Sequence, residues 1–193
     1  MEFTKSETKI NLMKAFAGES QARNRYNMAA KQAKKEGFVI IENLFNCIAS
    51  QEQAHASVFY DHLKEVNDEH FFIEASYPVN NYTSTLDYLK AAVHNEMEEY
   101  EDVYKTFASV ASDEGFPVVA SSFEQIAKIE KTHADKFLSY VKSLENNTLF
   151  SGSEQTAWYC TNCGHIHYGT AAPKNCPVCH HAQGYFLLEG MNK

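Results

Sequence analysis

Two pairs of side chains in this chain are spaced for holding a metal: Glu52 with His55, and Glu130 with His133. Residues three apart share one face of a helix, so each pair offers an oxygen and a nitrogen donor to a single point. Two more acids, Glu19 and Glu96, stand 33 and 34 residues before the glutamates of those pairs, so the same helix-pair pattern occurs twice. Four helices contributing two Glu-x-x-His pairs and two single glutamates make a donor set for two divalent cations. Glu99 follows Glu96 by three residues and can face the same interior. A second donor set is made of cysteine: Cys160 with Cys163 and Cys176 with Cys179, with twelve residues between the pairs. Four thiolates at that spacing close into a tetrahedral site that accepts either iron or zinc.

The elements that carry these donors are legible in the apolar rhythm. Residues 5–145 read as four long helices, broken at Gly37, through Tyr77, Pro78, Asn80 and Asn81, and from Asp113 to Pro117. The first two and last two helices are closely connected; Val66 to Ser84 is long enough to cross the length of a bundle. The expected core seam of the first helix runs through Leu12, Phe16, Glu19, Arg23, Tyr26, Ala30 and Ala33. The second gives Ile41, Phe45, Ile48, Glu52, His55, Phe59, His62 and Val66, and the third Leu86, Leu89, Val93, Glu96, Tyr100, Val103, Phe107 and Val110. The fourth gives Val119, Phe123, Ile126, Glu130, His133, Phe137, Tyr140 and Leu144. Every seam carries an acid near its middle. A buried carboxylate is expensive unless a cation or a hydrogen-bond network compensates it, and four at one depth call for a shared counter-charge.

Other polar residues near the seams read differently. His62 has no glutamate three residues earlier and reads as structural, and Glu98 as a solvated face residue. Arg23 either screens Glu19 or caps its seam. Tyr26 and Tyr104 either donate hydrogen bonds to the ligating carboxylates or are ordinary buried tyrosines. Cys47, alone beside its seam, reads as a small core residue.

Composition narrows the function. Net charge is −8 and no basic run occurs, so the electrostatic footprint of a nucleic-acid or anionic-membrane partner is missing. Neither a signal-peptide stretch nor a membrane span is read, so the expected location is the cytoplasm. In that reducing compartment close-set cysteines are metal ligands before they are disulfides. The tail around them, with Trp158, Tyr159, Tyr168, Tyr185 and Phe186, has too small a core to stand without its metal. His165, His167, His180 and His181 read as exposed loop residues.

With FAGESQARNRY around Glu19, QEQAH around Glu52, NEMEEY around Glu96, IEKTH around Glu130, and CTNCG and CPVC in the tail, the chain resembles the rubrerythrin family over essentially its whole length. The resemblance implies an all-α, ferritin-like four-helix bundle with one long crossover over 1–145, a linker over 146–155 and a rubredoxin-like four-cysteine iron domain over 156–193. It implies two iron ions in a carboxylate-bridged site and one in the cysteine site, with zinc or manganese able to substitute. Glu52 and Glu130 would bridge the two irons, and Glu19, Glu96, Glu99, His55 and His133 would complete the ligands, with one iron exchanging Glu99 for His55 on reduction.

The activity implied is reduction of hydrogen peroxide to water in defence against oxidative stress. Protons would come through Glu99, Tyr26 or Tyr104, and electrons through the cysteine-bound iron from a rubredoxin or an NAD(P)H-dependent reductase. Members are homodimers or larger. One departure stands beside the ligands: where the family commonly has GEHHEY, this chain has NEMEEY, with Met97 and Glu98 replacing side chains that tune the site without supplying a matched ligand. The competing readings are a ferroxidase or iron-binding protein without peroxide turnover, and a structural protein with zinc at both sites.

Overall fold

The computed structural model describes residues 1–70 and 72–188. Phe71 in the crossover and residues 189–193 of the expected C-terminal module lie outside the described residues. Helix α1 (Glu7–Lys35) starts at Ser6, whose hydroxyl accepts the Lys9 N–H at 3.1 Å, and the chain turns beyond it at Gly37, φ +81°. Helix α2 (Val39–Asp61) runs back along α1. After a 3-10 turn (Lys64–Val66), a crossover without helix or strand among its described residues leads to Ser84, the cap of α3 (Thr85–Glu98). One π-helical turn (Glu99–Val103) joins α3 to α4 (Tyr104–Asp113). Gly115, φ +89°, then turns the chain into α5 (Pro117–Glu145), whose proline occupies the first turn, where a missing N–H costs nothing. The α3/α4 rod packs along α5.

The bundle has two apolar cores with a polar layer between them. One contains Tyr26, Ile41, Phe45, Leu89 and Phe137; the other contains Leu12, Phe59, Tyr104, Phe123 and Ile126. Each includes a trio of one tyrosine and two phenylalanines. Tyr26, Phe45 and Phe137 have ring centroids 5.1–5.9 Å apart, and Phe59, Tyr104 and Phe123 have theirs 4.9–5.9 Å apart. The phenylalanines stand seven residues before and after Glu52 and Glu130, two turns to either side, so the trios close over the acidic layer from both ends.

The seams expected for α2 and α5 are buried nearly throughout, apart from the half-buried His62 and Leu144. On the third seam Leu86 and Val93 are half-buried, and Leu89 and then Glu96 are buried. Beyond it Tyr100, Val103, Phe107 and Val110 are half-buried, and Tyr104, Ala108 and Ala111 face the core instead. The π-turn is the cause: one extra residue in the turn rotates everything downstream by one position. On α1, Arg23 is exposed and Phe16 half-buried, while Ala15, Ala22 and Ala29 take the interior. Cys47 is exposed, contrary to its expected place in the core, because the residue before Ile48 on a helix points about 100° away from it.

Beyond α5 the chain forms a three-stranded antiparallel sheet of β1 (Ser151–Cys160), β2 (Ile166–Ala171) and β3 (Phe186–Leu188), in the order β2-β1-β3. Strand β1 begins within the stretch expected as linker, and Leu149 just before it is buried against the bundle. Its own core is small: Trp158, Ala172, Phe186 and the side chains of Cys160 and Cys176. Leu187 joins the bundle core, and Gly184 meets the α1–α2 turn so closely that a Cβ there would lie 1.8 Å from the Gly37 carbonyl oxygen. Among the described residues no helix is long and apolar enough to cross a membrane.

Candidate metal centres

Glu19, Glu52, Glu96, Glu130 and His133 are at most 1% exposed and His55 is 6% exposed, all in the layer between the two cores. They form two overlapping groups whose donor atoms lie within 4.8 Å of one another: Glu19, Glu52, His55 and Glu130, and Glu52, Glu96, Glu130 and His133. Glu52 and Glu130 belong to both. His55 Nδ1 stands 2.9 Å from Glu130 Oε1, 3.4 Å from Glu52 Oε2 and 3.7 Å from Glu19 Oε2. His133 Nδ1 stands 2.8 Å from Glu130 Oε2, 3.1 Å from Glu52 Oε1 and 3.3 Å from Glu96 Oε2. The two halves repeat each other about a pseudo-twofold axis.

Proximity is not matched by hydrogen bonding. Both oxygens of Glu52, both of Glu130, Glu19 Oε2 and His55 Nδ1 are buried without a hydrogen-bond partner among the described residues. Buried polar atoms are otherwise almost always paired. Donor atoms that converge while so many of them lack a hydrogen-bond partner fit cations placed in their midst, so the residues present suit a pair of divalent metals.

The electrostatics agree. Burial raises Glu19 and Glu96 well above the usual carboxylate range. Burial pushes Glu52 up as well, but the imidazoles of His133 and His55 outweigh it and hold Glu52 low. Burial alone would lower both histidines; Glu130, Glu52 and Glu96 instead lift His133 to about 12, and Glu130, Glu19 and Glu52 likewise raise His55. Protonated imidazoles are the positive charge that the layer's own side chains can muster, a weak substitute for two dications.

Hydrogen bonds outside the donor groups hold the outer carboxylates. Tyr26 on α1 donates to Glu96 Oε1 on α3, and Tyr104 on α4 donates to Glu19 Oε1 on α1, so each single glutamate is oriented by a tyrosine from the other helix pair. Of the two readings open for these tyrosines, the hydrogen-bonding one is what the structure contains. The π-turn is what allows the second bond, because a regular helix would turn Tyr104 away. His133 Nε2 pairs with the Gln51 amide oxygen at 2.9 Å, leaving Nδ1 to face the carboxylates. His55 has no corresponding bond at Nε2 among the described residues. Gln51 carries no periodic signal in sequence, since it precedes Glu52 and lies off the seam.

Glu99 belongs to neither donor group. It opens the π-turn, half-buried, on the wall of a cavity of about 380 Å³ bounded by α1, the crossover around Tyr77 and the α3/α4 rod. Tyr104 lines the same cavity, which therefore reaches the edge of the acidic layer. Burial, then the charges of Glu96, Glu130 and Glu52, raise Glu99 well above the usual carboxylate range.

In the tail, the Sγ atoms of Cys160, Cys163, Cys176 and Cys179 also lie within 4.8 Å of one another, with Cys160–Cys179 at 3.8 Å and Cys163–Cys176 at 3.6 Å. A tetrahedron built on metal–sulfur bonds of about 2.3 Å has edges of about 3.8 Å, whereas a disulfide is about 2 Å long. The two loops are copies of one another. Cys160 N–H bonds the His165 carbonyl at 2.8 Å and Gly164 N–H the Cys160 carbonyl at 2.9 Å; Cys176 with His181, and His180 with Cys176, repeat both distances. Gly164 has φ +79°, and its counterpart His180 has φ +62°, a conformation that costs a side chain energy.

A four-helix bundle with a buried layer of four carboxylates and two imidazoles, followed by a four-cysteine module, defines a ferritin-like di-metal protein with a rubredoxin-like appendage. The rubrerythrin family model matches residues 11–141, and that of the rubrerythrin rubredoxin-like domain matches residues 158–187. The chain belongs to the rubrerythrin family, with that family's di-iron carboxylate/histidine site and four-cysteine rubredoxin-like site. It is 45% identical to rubrerythrin of Clostridium perfringens, covering 94% of this chain and 93% of that one. It is 40% identical to rubrerythrin of Nitratidesulfovibrio vulgaris over 97% and 96%. A solved structure of nigerythrin in a mixed-valence state aligns with TM-score 0.64 and 26% identity, over 94% of this chain and 86% of that one. Bacterioferritin of Desulfovibrio desulfuricans, TM-score 0.66 at 22% identity over 74% and 82%, shares the fold of the bundle.

Proposed function

We propose that the protein reduces hydrogen peroxide to two waters, consuming two electrons and two protons, at the di-iron site, with electrons entering through the four-cysteine centre. The observation that carries this reading is the set of buried carboxylate oxygens without hydrogen bonds, lying beside a cavity that Glu99 and Tyr104 line. Glu52 and Glu130 would bridge two irons, with Glu19, His55, Glu96 and His133 as the outer ligands and Cys160, Cys163, Cys176 and Cys179 around a third. Iron held there in its reduced form would supply the two electrons for O–O cleavage.

The chain's own residues provide the rest. The two aromatic trios exclude water from the layer above and below. Tyr26 and Tyr104 hold the outer carboxylates in place, and Glu99 and Tyr104 stand at the cavity as the groups best placed to pass protons. Glu99 and His55 would alternate as ligands, a reading supported by His55 standing inside its donor group while Glu99 stands outside. The electron donor would be a rubredoxin or an NAD(P)H-dependent reductase, the assembly a homodimer or larger, and the location cytoplasmic, where free thiols persist.

The test is to reduce the protein anaerobically, verify iron at both sites, and follow reoxidation by stopped flow. Reoxidation should be faster with hydrogen peroxide than with dioxygen at equal concentration. A faster reaction with dioxygen would overturn peroxide reduction in favour of a ferroxidase or oxidase.

A further inference from the structure

The cavity beside Glu99 contains one cation whose bonding is unfinished. Arg25, one residue before Tyr26, is fixed on two sides: Nε donates to Gln21 Oε1 at 2.5 Å, and Nη1 donates to Asn80 Oδ1 at 2.7 Å. The same Asn80 oxygen accepts from Asn95 Nδ2 at 2.8 Å, so crossover, α1 and α3 are tied together just before Glu96. Arg25 Nη2, by contrast, is buried with no hydrogen-bond partner among the described residues. Leaving a charged donor unpaired away from water is costly, and a guanidinium locked in one plane presents its free N–H groups in a fixed direction suited to a carboxylate.

Four acids line the cavity with Arg25: Glu74, Glu98, Glu99 and Asp102. Three of them are exposed and can be hydrated where they are; Glu99 is half-buried. Glu99 also stands at the head of the π-turn, where Tyr104 N–H reaches back to the Glu99 carbonyl across five residues and the helix is locally widened. Burial and the charges of Glu96, Glu130 and Glu52 oppose ionisation of Glu99, whereas Arg25 favours it.

We infer that Arg25 is the dock for the Glu99 carboxylate whenever Glu99 is not a metal ligand, which makes Arg25 a positioning residue that sets the balance between the two places of Glu99. This rests on the reading of Glu99 and His55 as exchanging ligands. Arg25 touches neither metal nor peroxide in this scheme. Gln21 and Asn80 aim it, and Asn95 links its aim to the helix that carries Glu96 and Glu99. Removing the guanidinium should leave Glu99 nothing better than the metals, and an added anionic ligand favours the ferric over the ferrous pair.

The experiment compares the iron-loaded wild type with Arg25→Gln by anaerobic potentiometric titration of the di-iron site, and by crystal structures of both proteins in oxidised and reduced states. Arg25→Gln should weaken the ferrous relative to the ferric pair by about five- to thirty-fold, the equivalent of one charge-assisted hydrogen bond. In the Glu99→Ala background the same substitution should have a much smaller effect. Reduced wild type should show the Glu99 carboxylate on Arg25, and reduced Arg25→Gln should show it at the metals. Asn80→Ala, which keeps the charge but releases its aim, should move the equilibrium in the same direction by less, and it carries the test if Arg25→Gln does not fold.

An equal shift with and without Glu99 would overturn the proposal, since Arg25 would then act only as a nearby charge. So would a reduced wild type in which Glu99 leaves the metals but rests elsewhere. If Glu99 never changes place between the oxidised and reduced wild type, the ligand-exchange reading itself fails and the dock falls with it. None of these measurements uses peroxide, so they are independent of the substrate.

Discussion

The two metal centres of this chain stand in opposite relation to the folds that hold them. In the bundle the donors are spread over α1, α2, α3 and α5, with an apolar core on each side of the layer, so packing independent of any metal is available to hold the helices. The layer is a cost that the two cores offset. In the tail the ligands themselves make up part of a core that otherwise contains Trp158, Ala172 and Phe186, so the metal is a structural member. A fold can thus precede its metal or depend on it, and burial of the ligands alone does not distinguish the cases.

Metal removal is the largest test of that contrast. Stripping both sites with a chelator should unfold the tail, reported by Trp158 moving from a buried to a solvated emission, while helical circular dichroism persists. Structural four-ligand metals contribute about 10 kcal/mol or more to modules of this size. Trp158 remaining buried in the metal-free protein would show that docking against the bundle, not the metal, holds the tail. The converse test is Glu52→Leu, which should abolish two-metal binding and, by taking from the His55 and His133 imidazoles the carboxylate that faces both, destabilise the metal-free bundle by about 3–5 kcal/mol in urea denaturation. An equally or more stable metal-free variant would show that the carboxylate is only a cost to the bundle's own fold.

Smaller changes sharpen the contrast within each half. Gln51→Ala removes the bond that orients His133 and should weaken binding of one of the two metals by about 10–100-fold, leaving the cysteine site unaffected, as read by calorimetric titration. His180→Gly relieves the one positive φ in the metal loops that is not at glycine and should stabilise the metal-loaded tail by up to about 1 kcal/mol, with no change in the bundle's Tm.

The smallest effect belongs to a helix end. Glu114 accepts the Glu7 and Thr8 N–H groups at 2.9 and 2.8 Å at the start of α1. Burial pushes its pKa up, but bonds from the Thr8 hydroxyl and both N–H groups outweigh this and hold it below the ordinary glutamate value. A carboxylate lowered on folding stabilises fully above its unfolded pKa, and that contribution is lost as pH falls through the folded value. Solvent screens a group this close to the surface, so Glu114→Gln should cost only about 0.5 kcal/mol at pH 7, and the difference from wild type should shrink as pH falls below the ordinary glutamate range, vanishing only beneath the lowered folded value.

Much of this was legible in the chain, for reasons that also explain what was not. Regular helices preserve phase, so Glu52, His55, Glu130 and His133 and their seams could be placed from spacing, and Glu19 and Glu96 followed. The cysteine site was legible because its pattern is local. Phase was lost at Glu99–Val103, because a π-turn has no compositional mark in EYEDV, and Val103 and Phe107 were placed where Tyr104 and Ala108 belong. Arg23 was placed on the α1 seam because Ala22 gives too weak an apolar signal. Gln51, Arg25 and Asn80 act through partners distant in sequence, and no periodicity records such pairings.

The π-turn has one more consequence. It works as a vernier between two fixed scales: the upstream half of the rod is aligned on Glu96 and the downstream half on Tyr104, and a single surplus residue reconciles them. Substitutions in the turn leave that alignment alone. A one-residue deletion there would not shorten a loop; it would spin Tyr104, Ala108 and Ala111 together by about 100°, and Glu19 would lose its partner without any residue near it having been changed.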